Sequence, residues 1–345
     1  MMQQRAEEKW VTCFEQVFEM SGVGAGDLVG ILSESLSRPV LVELADRGLQ
    51  RRGARVFHIQ VPTPSLTEPV PVRSTGSTTA FEGYDDLLSG LGNCSLVVDC
   101  TVEGLLHAKE RDVLLQAGTR VFMISNEHPE ILERCMPDQA LQPRVDLALS
   151  TLSSAREMRV TSSAGTDLVV NVTDAPTRGG AGFLGPDDKV AYWPAGLCLC
   201  FPLQNSVNGT VVLDVGDVNL TFKRYVESPV TFRIENDYVT AIEGTGLDAE
   251  LLRSYYAGWN DPLAYTVSHV GWGLNPGARW DALVMYDKDQ TNGTELRALE
   301  GSFLFSTGAN DFAGRYTACH FDYPMRNCDV SLDGVAVVEK RRLVS

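Results

Sequence analysis

The chain of 345 residues has no stretch approaching the ~20 apolar residues that a membrane span needs, and Met1 to Lys9 lack the apolar core of a secretion signal. These absences predict a cytoplasmic protein with no membrane partner. Basic charge is also scarce. With 29 Lys+Arg against 45 Asp+Glu the formal charge is −16, which repels phosphate backbones and excludes nucleic acid as an expected partner. The eight cysteines include no Cys-x-x-Cys pair, so in a reducing compartment they read as free, mostly buried thiols. Histidine is rare as well, with five in the whole chain, which allows each one to be weighed.

The length suits two domains, each with its own core. Between Glu7 and Met20 the residues Trp10, Cys13, Phe14, Val17 and Phe18 recur at helical spacing, and Gly22, Gly24 and Gly26 follow as a stop. Alternation then sets in: strands over 28–32, 55–61, 95–101 and 120–125, and helices over 39–50, 105–116 and 129–136. This predicts an α/β domain over 1–150, with a mostly parallel sheet covered by helices. The three spaced glycines follow a helix and precede a strand, the reverse of the order in a dinucleotide fingerprint. The Pro/Ser/Thr-rich segment 62–81 reads as a long surface loop. From about residue 153 short alternating strands take over, as at 158–162, 167–172, 230–234 and 238–242, with one clear helix at 248–256. An α+β, mainly β domain is therefore expected over 151–345.

His58 in an apolar strand and His128 before Pro129 read as structural. His320-Phe321-Asp322 differs, because residues i and i+2 of a strand share a face, so an imidazole and a carboxylate can converge on one ion. The next residues, Tyr323-Pro324, suggest that the pair lies at the strand's end. His269 is the remaining histidine of the second domain. Two histidines and a carboxylate with open positions form the facial triad of oxygen-activating ferrous iron. Zinc hydrolases use the same donor types, and manganese accepts them too, so at this point the donor set leaves oxygenase and hydrolase both open. Ser306 and Arg326 are candidate substrate anchors, one offering a hydroxyl and the other a charged donor.

The segments His269–Gly277 with its ending Gly273-Leu274-Asn275-Pro276-Gly277, Gly301–Gly308, and His320–Cys328 followed by Leu332-Asp333-Gly334 resemble the 2,5-dihydroxypyridine 5,6-dioxygenases. More distantly they resemble the thermophilic-type metallo-aminopeptidases, whose fold those enzymes share. The resemblance implies an Fe(II) cofactor, a small aromatic N-heterocycle and O2 as substrates, ring opening to N-formylmaleamate in nicotinate or pyridine catabolism, and a homo-oligomer. It also implies that Leu106 and His107 face the substrate across the domain cleft. There a histidine of ordinary pKa about 6.5 could take and return the proton of a ring hydroxyl. The peptidases hold two metals, one through a glutamate in an Asn-Leu-Pro-x-Gly-Glu stretch. Here Trp193-Pro194-Ala195-Gly196-Leu197 carries Leu197 at that place, which disfavours the second metal and the bridged hydroxide of a dinuclear peptidase. A mononuclear hydrolase or deaminase of the same fold is the alternative activity. Two positions depart from the dioxygenase pattern: the turn Gly179-Gly180-Ala181-Gly182, where that family carries a glutamate, and Tyr192, where it carries another polar residue. They leave a related hydroxylated heterocycle or aminophenol open as the substrate.

Overall fold

A computed structural model describes residues 5–65 and 77–344. Five strands form one parallel sheet, in the spatial order Arg55–Val61, Leu28–Glu34, Leu96–Asp99, Val121–Ile124 and Val190–Trp193. Both faces are covered, as the Val/Ile/Leu-rich strands require. The helices Glu8–Met20 and Pro39–Arg51 bury Phe14, Phe18 and Leu44 against one face together with Phe122 and Trp193. On the other face Phe81, Leu88, Leu105 and Leu114 pack against Val97 and Val121.

This order runs outward in both directions from the first and third strands of the chain, so their following loops diverge and leave a crevice at the carboxyl end of the sheet. The loop after Leu96–Asp99 carries Leu106 and His107. It is shaped by Asp99, whose buried carboxylate accepts from Thr101 N at 2.9 Å, Thr101 Oγ1 at 2.7 Å and Leu105 N at 2.6 Å. Gly104, at φ 86°, makes the reversal; a Cβ there would lie 2.2 Å from Met123 Sδ. The expected helix over 105–116 consequently starts later, at Lys109, and His107 sits on the loop between strand and helix.

The second half holds two large antiparallel sheets and a two-stranded ribbon, Val218–Asn219 with Arg224–Tyr225. Eight strands run in the order 238–243, 230–235, 207–213, 167–171, 157–162, 328–332, 335–339 and 342–343, and five in the order 315–325, 303–310, 267–273, 197–200 and 177–180. One apolar core lies between them and the helix Leu247–Trp259, centred on Phe232, Tyr256, Phe305 and Phe321. Sheet membership does not follow a cut at residue 150, because Val190–Trp193 returns to the parallel sheet. The helix Leu141–Ser154 was not expected from the sequence: only Leu141, Val145, Ala148 and Leu152 are buried, a narrow stripe among polar residues. Of the expected 62–81 loop, residues 66–76 lie outside the described residues. Its far flank is tied to the crevice, with Thr78 N donating to Gly104 O at 2.8 Å.

Close backbone approach in the five-stranded sheet depends on Gly271, where a Cβ would fall 1.9 Å from Cys198 O and 2.8 Å from Leu199 Cα. Gly24 has nothing within 4 Å of the same position. Gly271→Ala is therefore expected to cost about 1–3 kcal/mol or more in urea denaturation, with Gly24→Ala near neutral; equal midpoints for the two would contradict this packing.

Candidate metal centre

Three neighbouring strands of the five-stranded sheet bring His269, His320, Asp322 and Ser306 together. His320 and Asp322 are both on Arg315–Met325 and share a face, as their spacing predicts, while Phe321 points into the core against Tyr255 and Tyr256. They lie within the strand and not at its end, because pairing with Phe303–Asn310 continues through Met325↔Phe303. His269 comes from Val267–Gly273, where the register shifts between Val267 and Val270. Such an irregularity re-aims side chains.

His269 Nε2 is 3.3 Å from His320 Nε2 and 3.7 Å from Asp322 Oδ1, and His320 Nε2 is 3.4 Å from the same oxygen. Three donors each about 2.0–2.2 Å from one ion stand roughly 3 to 4 Å apart, so the spacing fits a single metal. The chemistry fits as well, since two imidazole nitrogens and a carboxylate oxygen are the donor types that such a metal takes. This is the one such cluster among the described residues. Leu197 is buried and contributes no donor, in keeping with the loss of a second metal site.

Asp322 is almost wholly buried. Burial alone would push its carboxyl up, but Arg297 beside it, followed by His320 and His269, holds it well below the usual carboxylate range. Arg297 Nε donates to Asp322 Oδ2 at 2.5 Å, and Ser306 Oγ donates to Oδ1 from the register position directly across the sheet. Burial pushes His269 down to about 3, with Asp322 opposing, so its ring is a neutral donor above that range. Its Nδ1 is buried with no hydrogen-bond partner among the described residues, and the Phe201 ring packs edge-on at 5.4 Å.

His107 reaches this cluster from the other half of the molecule, its ring centroid 5.2 Å from that of His320. One side of it remains open to solvent in the cleft. The protein packed around its other side, then His320 and His269, push its proton affinity well below the ordinary range. Leu106 beside it is half-buried, its carbonyl held by Arg111.

Two sequence expectations change. Ser306 is buried and its hydroxyl is engaged by the carboxylate of Asp322, which makes it a support of that ligand. Arg326 does not join the cluster: its guanidinium lies 4.1 Å from the centroid of the Trp280 ring, and its backbone N–H donates to Asp217 Oδ1 at 2.7 Å. The arginine that does join is Arg297, which sequence reasoning missed. It sits on the one-turn helix Thr294–Arg297, whose approach is fixed from the first half of the chain by Glu127, accepting from Asn292 N, Gly293 N and Thr294 N at 2.8 Å each. At Gly180 a Cβ would lie 3.5 Å from the Tyr192 ring, so the phenol fills the space that a side chain in that glycine-rich turn would claim. His58 and His128 stay outside the site, near Asp46 and stacked on Tyr286 respectively.

Because His269 is depressed from 6.5 to about 3, the unfolded chain binds the extra proton in that window. The contribution is intact above pH 6.5 and is lost as pH falls toward 3. Metal-free protein is expected to lose stability on going from pH 7 to pH 5, with His269→Gln reducing the slope by up to about 1.4 kcal/mol per pH unit. Denaturant titrations at several pH values check this, and parallel curves for the two proteins would contradict it.

Comparison with known proteins places this geometry in context. The family model for NicX, 2,5-dihydroxypyridine 5,6-dioxygenase, matches residues 9–345. A 2,5-dihydroxypyridine 5,6-dioxygenase of Pseudomonas putida KT2440 is 37% identical over 334 residues, covering 94% of this chain and 93% of that protein. A solved structure of the 2,5-dihydroxypyridine dioxygenase from the same organism superposes with a TM-score of 0.89 at 36% identity, over 97% of each chain. AmpT from Thermus thermophilus shares the fold, with a TM-score of 0.66 at 16% identity over 98% of this chain and 99% of its own.

Proposed function

Since the chain belongs to the 2,5-dihydroxypyridine 5,6-dioxygenase family, we propose that it opens the ring of 2,5-dihydroxypyridine with O2, at a ferrous ion held by His269, His320 and Asp322. The observation that carries this reading is the convergence of two imidazoles and one buried carboxylate on a single point, with a further histidine, His107, facing them.

A ferrous ion at this place supplies the redox chemistry that a spin-paired ring and O2 cannot begin on their own. The chain's own residues do the rest. Asp322 stays ionised because Arg297 and Ser306 bond to it, which lets the three ligands approach one cation without rearranging. His107, facing the ligand cluster across the cleft, accepts the proton of the ring hydroxyl at an imidazole nitrogen, and its lowered proton affinity favours the later return. The ring is placed in the crevice between the parallel sheet and the β half, and this fixed placement removes much of the entropy cost of bringing ring and O2 together. The carbon that bore the hydroxyl becomes a carboxylate and its neighbour a formyl group, so both atoms of O2 end in N-formylmaleamate. No helix among the described residues is long and apolar enough to cross a membrane, and we propose a cytoplasmic homo-oligomer.

The decisive assay uses protein purified without oxygen, loaded with Fe(II) and given 2,5-dihydroxypyridine. One O2 consumed per ring lost, followed by an oxygen electrode and ultraviolet absorbance, and no turnover in His320→Ala, is the expected result. Ring loss without O2 uptake would make the protein a hydrolase instead. His107→Gln is expected to lower kcat by about 10²–10⁴ while iron content by elemental analysis stays unchanged; loss of iron in this variant would assign His107 to the metal instead of to the proton.

A further inference from the structure

The crevice contains more than the metal centre. Beside it lies a cavity of about 560 Å3, bounded by Leu36 and Val102 from the two diverging loops of the parallel sheet, and by Asn126, Lys223, Lys288 and Asn292. Its wall is linked by hydrogen bonds to the residues around Asp322. Asn292 Oδ1 accepts from Arg297 Nη1 at 3.2 Å, and Arg297 holds Asp322. Lys223 N donates at 3.2 Å to Leu220 O, and Leu220 N donates at 3.2 Å to Asp322 O.

The charge of this wall is opposite to that of the molecule. Lys223 Nζ donates to Lys288 O and Lys288 Nζ to Phe222 O, each at 3.0 Å, and neither ammonium has a carboxylate at ion-pair distance among the described residues. Arg224, also on the wall, is engaged with Asp248 and Glu227, and Asp289 is the one acid that lines the space. Two ammonium groups with donors to spare suit a carboxylate.

A small molecule carrying a carboxylate meets this demand. We propose that this cavity is a carboxylate-binding vestibule that receives the ring-opened half-amide as it leaves the metal centre. The proposal rests on the ring-opening reading given above. Cleavage converts a neutral ring into an anion that carries a carboxylate and keeps its N–H, so the cavity distinguishes product from substrate by charge.

The test is calorimetric titration of the Fe(II)-loaded enzyme, without oxygen, using maleamate as the probe and the neutral diamide maleamide as its control. Maleamate is expected to bind at least about tenfold more tightly than maleamide. Lys223→Gln and Lys288→Gln should each weaken it about fivefold or more, while initial rates on 2,5-dihydroxypyridine stay within about twofold of the parent. His320→Ala should leave maleamate binding intact. Equal affinity for the two probes, indifference to both lysine changes, or loss of binding in His320→Ala would overturn the proposal, the last by placing the anion on the metal. The O2 assay separates the two failures: lysine-dependent maleamate binding in a protein that consumes no O2 with this substrate overturns the product assignment and the ring-opening reading, and leaves only a carboxylate site.

Discussion

The structure turns on one buried negative charge. A carboxylate removed from water costs several kcal/mol unless the groups around it replace the lost solvation, and Asp322 is surrounded by groups that do so: Arg297, Ser306 and two imidazoles. Each comes from a different element. Arg297 is held by the turn that Glu127 fixes from the parallel-sheet half, Ser306 by strand register, and His269 by the irregular strand beside it. The placement of this charge thereby couples the two halves of the molecule, and a cation at the same point completes the compensation.

The parallel sheet contributes position more than ligands. Its strand order opens a crevice where the loops after Leu28–Glu34 and Leu96–Asp99 separate, and the β half closes over that crevice with the face bearing His269 and His320. Asp99 then does for the loop of His107 what Arg297 does for Asp322: it saturates a buried polar group and so fixes a backbone path. His107 is consequently held near His320 by a loop whose shape is set at the end of the strand that leads into it. This explains how it can face the metal centre from the other half without being a ligand itself.

The sequence revealed those parts of the site that are local. His320 and Asp322 are two residues apart on one strand, and that period alone puts them side by side. His269 followed because so few histidines compete for the role. The α/β alternation of the first half was readable for the same reason, since each strand is a short apolar run between helices of regular period. What could not be read is non-local. Arg297 occupies a single helical turn with no periodicity of its own, and only the distant Glu127 contacts show where that turn points. Val190–Trp193 is four residues long and resembles its antiparallel neighbours in composition, yet pairs with Val121–Ile124. Arg326 misled because it follows the ligand strand closely, whereas the chain has already turned and the Trp280 face captures it. Ser306 was found, but its hydroxyl faces a protein carboxylate, an orientation that residue type cannot supply.

Charge distribution ties the chemistry to the molecule as a whole. A neutral ring and O2 are not steered by electrostatic fields, so an acidic surface on a chain of formal net charge −16 does not slow their arrival. An anionic product behaves differently, because that surface repels it once it is outside. The proposed vestibule offers such an anion cationic groups to meet inside the molecule. Lys223 and Lys288 stand there, on the wall that Asn292 and Arg297 connect to the metal centre. In that proposal a locally positive wall within an acidic chain receives the product, and it is tied through Asn292 and Arg297 to the contacts that hold Asp322.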